Sequence, residues 1–331
     1  MPFHIRNRAG QPAIHDSFVI LLAALLDAWA GDPPNRFHPV AWLGSAIALA
    51  QRRAPGAGRA GPLLYGGALT ATGVGATAGL GQLLTRLCRR GMGRRWPLIG
   101  ALTEAWLLKM TFSASGLGRA AGDVLAALQA DQLDEARRRL AWHLVSRDTG
   151  ALDEAQVCSA VIESVAENLC DSVVAPLCYY ACAGLSGAWA YRFANTADAM
   201  LGYRDAAREW LGKIPARLDD GLNVLPARLS ALLLWLAGGL AGCDMRQGWQ
   251  VWRRDARSTA SPNAGHPMSM MAGLLGVRLE KIGHYQLGAA LRPPGPADVA
   301  RSIRVMQIAA GLAVMACAAL AAVGQARASR H

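Results

Sequence analysis

Three carboxylates, Glu163, Glu167 and Asp171, recur four residues apart in the stretch "IESVAENLCDSVVAPL" (162–177), at the start of a long uncharged run. On a helix this spacing stacks all three on one face, with Asn168 beside it. Like charges one turn apart repel by roughly a few tenths of a kcal/mol per pair, so something positive belongs against them. Mg²⁺ fits, because it is held by one or two carboxylates together with substrate phosphates. The competing reading is a solvated acidic face at a helix end.

The same residue types recur elsewhere. Asp219, Asp220 and Asn223 lie in "RLDDGLNVLPARL" (217–229), flanked by Arg217 and Arg228 and followed by another apolar run. Asn195 and Asp198 place an amide and a carboxylate three apart. Ser261 to Gly265 reads as a rigid turn whose backbone amides, with the Asn263 side chain, could meet a phosphate or an amide. "GDPPNRFHPV" (31–40), "SRDTGALD" (146–153) and "RDARSTASPNAGHP" (254–267) carry further polar groups. Each alone is an ordinary cap or turn. Together they predict a polar site where helices meet loops. There is no GxxxxGK[ST], GxSxG or HExxH, and no CxxC pair. The seven cysteines read as small buried hydrophobes, and His38, His143, His266 and His284 as scattered structural hydrogen-bonders.

The elements that hold these groups are apolar. Of 331 residues 53% are hydrophobic and only 17% charged, which is too greasy for an ordinary soluble chain. Leu63–Leu84 and Val305–Ala326 reach spanning length, and Ser172–Tyr191 and Leu229–Cys243 approach it. The net charge of +11 is clustered. Arg86, Arg89, Arg90, Arg94 and Arg95 follow one run and Arg253, Arg254 and Arg257 another, which reads as cytoplasmic flanks. No aromatic-interleaved basic strand or recognition helix points to nucleic acid. Gly75 and Gly79 predict a close helix approach. Arg6 and Arg8 precede the apolar run Phe18–Leu26 as in a leader, but the run is short and carries Asp27, so residues 1–17 read as a tail.

Helices are predicted over Leu98–Gly118 and Asp123–Val145, the second strongly amphipathic, so 96–160 reads as largely extramembrane. No repeat and no useful strand alternation is visible. The residues therefore predict an all-α, polytopic helical membrane protein, one domain over 1–331, with polar loops and amphipathic helices facing the cytoplasm. At that point an enzyme and a cation- or proton-coupled transporter both stand; the transporter reading is weakened because the acids fall at the ends of the apolar runs.

From Leu26 to Tyr285, in order, the chain carries "GDPP…HPV", "VSRDT…LD", "ESVAEN…D…VAPL", "NT.D.M.GY", "RLDD.LN..PARL" and "RDA….SPNAGHP…..GLLGVRL". In these it resembles the adenosylcobinamide-phosphate synthase family, integral membrane amide-forming enzymes of cobalamin biosynthesis. It departs where Cys170 and Ser172 flank Asp171 and where His266 and Met268 stand for the family's usual Trp and Glu. The resemblance implies ATP-dependent joining of a carboxylate of adenosylcobyric acid to the amine of aminopropanol or its O-phosphate, with the corrinoid as substrate rather than prosthetic group. It makes Glu163, Glu167, Asp171, Asp219 and Asp220 the catalytic acids, with Glu163, Glu167, Asp171 and Asp220 expected on Mg²⁺. Arg147, Arg217, Arg228 and Arg257 are expected to face phosphates. Asp32, His38, Asp148, Asn168, Asn195, Asp198, Asn223, Ser261 and Asn263 are expected to bind substrate. It implies a multi-pass protein of the bacterial cytoplasmic (inner) membrane, its surroundings the lipid bilayer and other membrane-bound corrinoid assembly enzymes.

A shared site requires Arg147, Asp220 and Asn263 on one side, and Pro176 and Gly184 are expected to bend the 172–191 passage to allow it. Carbonate extraction of membranes should leave the full-length protein in the pellet; release into the supernatant would overturn the membrane reading.

Overall fold

Side-chain caps start several helices where the sequence places them. Asp153 Oδ1 accepts from the Gln156 amide at 2.8 Å while Gln156 Oε1 accepts from the Asp153 amide at 2.9 Å, a reciprocal cap that opens the acid-bearing helix. Ser113, Asp244 and His38 cap others. The computed structural model describes residues 15–328 apart from 57, 93, 94, 204, 206 and 207. Most of the 1–17 tail, with Arg6 and Arg8, and also Arg94, lie outside the described residues.

In chain order the helices are α1 (His15–Ala30), α2 (Pro39–Gln51), α3 (Ala60–Arg86), α4 (Pro97–Lys109), α5 (Ala114–Gln129), α6 (Leu133–His143) and α7 (Glu154–Leu169). There follow α8 (Ala175–Leu201), α9 (Lys213–Leu222), α10 (Val224–Leu240), α11 (Met245–Asp255), α12 (Gly265–Leu275) and α13 (Pro296–Ala328). A π-helical turn, Cys170–Val174, joins α7 to α8. The core gathers around α7, with Val161, Ile162, Val165 and Leu169 fully buried against α12 and α13.

Helical content agrees with the predicted class, with two departures. A short antiparallel hairpin, β1 (Leu279–Lys281) and β2 (Tyr285–Leu287), pairs Leu279 with Leu287 and packs on α7. Its three-residue strands are too short to produce readable alternation. The predicted helices Leu98–Gly118 and Asp123–Val145 are re-partitioned. Ser113 ends one and caps the next, and Asp131, at φ +55°, breaks the other.

Two described helices are long and apolar enough to cross a membrane, Glu154–Leu201 and Pro296–Gly324; a pair bent by 47°, Lys213–Leu222 with Val224–Leu240, makes a third if it forms one span. Thus Val305–Ala326 and Ser172–Tyr191 fall in candidate spans, whereas α3 is long but diluted by Gly and Thr. The acids lie in the N-terminal part of the 48-residue Glu154–Leu201 segment, just before its uncharged run 172–191. That segment is broken as predicted at Gly184, whose φ of 68° and ψ of −156° interrupt the helix. Arg89 is not a solvated flank. Its Nε donates to Glu104 Oε2 at 2.8 Å, its guanidinium also bonds Asp16, and Tyr180 OH donates to Glu104 Oε1 at 2.8 Å, so a buried ion cluster joins α1, α4 and α8.

Close approach of α3 to α8 and the loop after it uses glycines other than the predicted pair. A Cβ on Gly66 would lie 2.0 Å from the Leu211 carbonyl oxygen, and one on Gly81 2.7 Å from that of Leu185, whereas Gly75 and Gly79 face open space. Gly66→Ala and Gly81→Ala should each lose about 1–3 kcal/mol through overpacking. Gly75→Ala and Gly79→Ala should gain up to about 1 kcal/mol from helix propensity. Thermal unfolding in detergent checks this, and equal losses at all four positions would contradict it.

Candidate functional site

The π-helical turn after α7 determines where the site forms. Widening the helix by one residue there leaves carbonyls that accept from outside the helix. The Asp171 carbonyl accepts from Tyr191 OH at 3.4 Å and from an Arg192 Nη at 3.5 Å, and the Ser172 carbonyl accepts from the Ser113 amide at 3.0 Å. Through these bonds the turn ties α8 and the α4–α5 junction to the acidic face.

Asp219 on α9 lies opposite. Its two oxygens accept from the side-chain amides of Asn195 at 3.3 Å and Asn223 at 3.0 Å. Asn223 Oδ1 accepts from Tyr191 OH at 2.9 Å, Tyr191 stacks on Tyr179 at 5.1 Å, and Tyr179 OH donates to the Leu222 carbonyl. The charges of Glu167, Asp171 and Asp219 neighbour one another, and Asp198 neighbours Asp219, Asp220 and Glu167. The expected acidic face is therefore real, and α9 completes it.

Its members differ in what they are free to do. Glu163 is buried and engaged, accepting from Ser159 Oγ at 2.8 Å and Tyr285 OH at 3.0 Å, with Arg147 3.9 Å away. Burial, then the Glu163 charge and its hydrogen bond, hold the Tyr285 phenol above its usual range. Glu167 is exposed although the charges of Glu163, Asp219 and Lys281 lie near it, and it has no hydrogen bond among the described residues. Asn168 donates to the Ser164 carbonyl at 2.9 Å.

The loop "GDPPNRFHPV" enters from the far side. Asp32 bonds Lys109 and Ser113, and His38 Nε2 stands 3.8 Å from it. His38 Nδ1 accepts from the Val40 amide, so its proton belongs on Nε2, facing Asp32. Burial alone would raise the Asp32 carboxyl; the facing His38 ring and the hydrogen bonds from Lys109 and Ser113 outweigh it and hold the group well below the usual carboxylate range.

Asn263 joins the same assembly, donating to the Asp220 carbonyl at 2.7 Å and accepting from an Arg228 Nη at 3.1 Å. Asp220 and Asn263 thus come together, as a shared site requires. The other turn residues are used locally. Ser261 Oγ accepts from the Asn263 and Ala264 amides, so these amides serve the turn rather than a phosphate. Asp148 is exposed and accepts from the Gly150 amide. Arg217 and Arg257 are exposed and make no hydrogen bond or ion pair among the described residues; the Arg257 charge is felt by His266.

Among the described residues no group of three or more His, Cys, Asp or Glu side chains is placed to hold a metal ion. Glu163, Glu167, Asp171 and Asp220 are therefore not one ready cage. The all-oxygen donor set at Glu167 and Asp171 suits a hard cation that takes one or two carboxylates and completes its shell with phosphate and water.

Several residues here were not read from the sequence. Lys109 and Arg192 are single charges inside the apolar helical stretches "AWLLKM" and "AYRFAN", and a charge in such a run is a functional signal that could have found them. Tyr285 and Lys281 reach the acids only because the hairpin folds onto α7; Lys281 is a charged neighbour of both Glu163 and Glu167.

Comparison with known proteins agrees over nearly the whole chain. The family described as CobD/Cbib protein matches residues 20–315. Cobalamin biosynthesis protein CobD of Dehalococcoides mccartyi is 39% identical over 86% of this chain and 91% of its own length. A probable cobalamin biosynthesis protein CobD of Methanothermobacter thermautotrophicus is 40% identical over 82% and 86%. Cobalamin biosynthesis protein CbiB of Salmonella typhimurium is 37% identical over 88% and 93%. No solved structure matches.

His266 lies beside the Arg228–Asn263 contact. Its Nδ1 accepts from Trp252 Nε1 at 3.0 Å, which requires the neutral ring. Burial, then the charges of Arg228 and Arg257, lower its pKa from 6.5 to about 4. The unfolded chain therefore takes up this proton first. The stability contributed is complete above about pH 6.5 and is lost as pH falls toward 4. Thermal melts across that window should fall more steeply for the native protein than for His266→Gln; parallel curves would refute the assignment.

Proposed function

The chain belongs to the CobD/Cbib family, and on that premise we propose that it is an ATP-dependent acid–amine ligase of cobalamin biosynthesis. It joins adenosylcobyric acid to (R)-1-aminopropan-2-ol or its O-phosphate at the cytoplasmic side of the inner membrane. The observation that carries this reading is the convergence of Glu167, Asp171 and Asp219 from three separate elements, with Arg192 close to Asp171 and Asp219.

A carboxylate at neutral pH does not acylate an amine, so the corrinoid carboxylate must first be activated, most simply as an acyl phosphate. Phosphoryl transfer is largely a matter of positioning and charge stabilisation. Mg²⁺, when bound through Asp171 and phosphate oxygens, would neutralise phosphoryl charge. The chain's own residues divide the remaining work. Arg147 and Arg228 bring positive charge to the two ends of the cluster. Asp219, immobilised by two amides, sets the negative field that orients an ammonium. Glu167, with no hydrogen bond of its own among the described residues, is the acid able to take the ammonium proton before attack. Acids in the same long helix as a candidate span also suit a cation- or proton-coupled transporter.

With ¹⁸O in the carboxylate of adenosylcobyric acid, purified protein, ATP, Mg²⁺ and the amine should release labelled phosphate in step with amide. Amide formed without ATP, or with no label in phosphate, would overturn the mechanism, and ion flux without amide would favour transport. Glu167→Gln should lower turnover by roughly 10²-fold or more while the protein still accumulates; near-normal turnover would remove Glu167 from the chemistry.

A further inference from the structure

Among the described residues two arginines inside the bundle stand in contrasting surroundings, Arg89 with a buried side chain and Arg192 half-buried with a buried Nε. Arg89 is saturated, its guanidinium bonded to both Glu104 oxygens and to Asp16. Arg192 is not. One Nη makes only two long contacts, 3.5 Å to the Asp171 carbonyl and 3.4 Å to Asn195 Oδ1, and its buried Nε has no hydrogen-bond partner. Among the described residues it forms no ion pair, although the charges of Asp171, Asp32 and Asp219 surround it at longer range.

A guanidinium carries five donors in a planar fork and normally meets a carboxylate directly when buried. Leaving such donors unmet is costly unless something else supplies the acceptor. The side chain arises from α8 one residue after Tyr191, whose hydroxyl bridges Asn223 and the Asp171 carbonyl, so its position follows from the same network that holds Asp219.

We infer that Arg192 is the oxyanion receptor of the site: its Nε–H and free Nη–H donors bind a carboxylate or phosphate oxygen of the substrate. This rests on the ligase reading for the ligand's identity, not for its charge. The surrounding acids fix the guanidinium without occupying it, and they disfavour any anion that does not bring its own planar pair of oxygens or a cation with it. The sequence-derived phosphate ligands are less suited, since Arg217 and Arg257 are exposed and Arg228 already bonds Asn263 and the Val224 carbonyl.

The test uses the full chain in detergent, with native protein, Arg192→Gln and Arg192→Lys. Dissociation constants are measured separately for adenosylcobyric acid, a non-hydrolysable ATP analogue and aminopropanol phosphate, and the melting temperature is followed with added pyrophosphate. One of the three affinities should weaken roughly 10- to 100-fold in Arg192→Gln, the range for losing a hydrogen bond to a charged group. Loss for the corrinoid assigns the carboxylate, and loss for either of the others assigns a phosphate. Arg192→Lys keeps the buried charge but not the fork, so it should show the same loss and serves if the glutamine variant does not accumulate. Unchanged affinities and unchanged pyrophosphate stabilisation in both variants would overturn the inference. If the native protein binds no corrinoid but its pyrophosphate stabilisation disappears in the variants, the ligase reading fails and the anion receptor stands.

Discussion

Asp219 held between two amides is the joint on which this structure depends. A carboxyl group that is only 8% exposed needs partners to replace the water it has lost. Asn195 and Asn223 supply them, one from α8 and one from the α9–α10 junction. Because Asn223 also accepts from Tyr191, one charge fixes the relative placement of three helices. The acids of α7 then meet α9 at a distance where their charges interact. Like charges brought together in this way repel, which makes the site receptive to a cation, an ammonium or a metal-bound phosphate.

The same requirement explains the helix irregularities. A regular helix through residues 154–201 would satisfy its own carbonyls and would carry Asp171 and Tyr191 past one another. The π-helical turn and the break at Gly184 divide it, and the released carbonyls bind Tyr191, Arg192 and the Ser113 amide. On the opposite side, Gly66 and Gly81 let α3 approach closely enough to seal the bundle behind the site. Irregular backbone is placed where it serves polar groups, and small residues are placed where helices need proximity.

Much of this was legible in local spacing. The helical face of Glu163, Glu167 and Asp171, the repeated pattern at Asp219 and Asn223, and the bend at Gly184 follow from periodicity and from glycine's backbone freedom. The ordered motifs carried the family as well, because each is a run of residues that a chain-order reading can match. The Gly75 and Gly79 pair misled, since their spacing is right for a close approach but no neighbour comes near them. Arg89 reads as a flank because a cluster of arginines looks the same in the sequence whether or not carboxylates from α1 and α4 arrive beside one of them.

What the sequence by itself determined is helicity, the apolar character of the long segments, and which residue types gather in each polar stretch, because these depend on neighbours within a turn or two. What only the tertiary structure decided is which groups are spent and which remain available. Glu163 and Asn263 satisfy partners brought from distant parts of the chain, whereas Glu167 and Arg192 keep unused capacity inside the cluster. That division rests on hydrogen bonds between residues tens to more than a hundred positions apart, such as Tyr285 to Glu163 and Asn263 to Asp220, and no local spacing encodes where such partners meet.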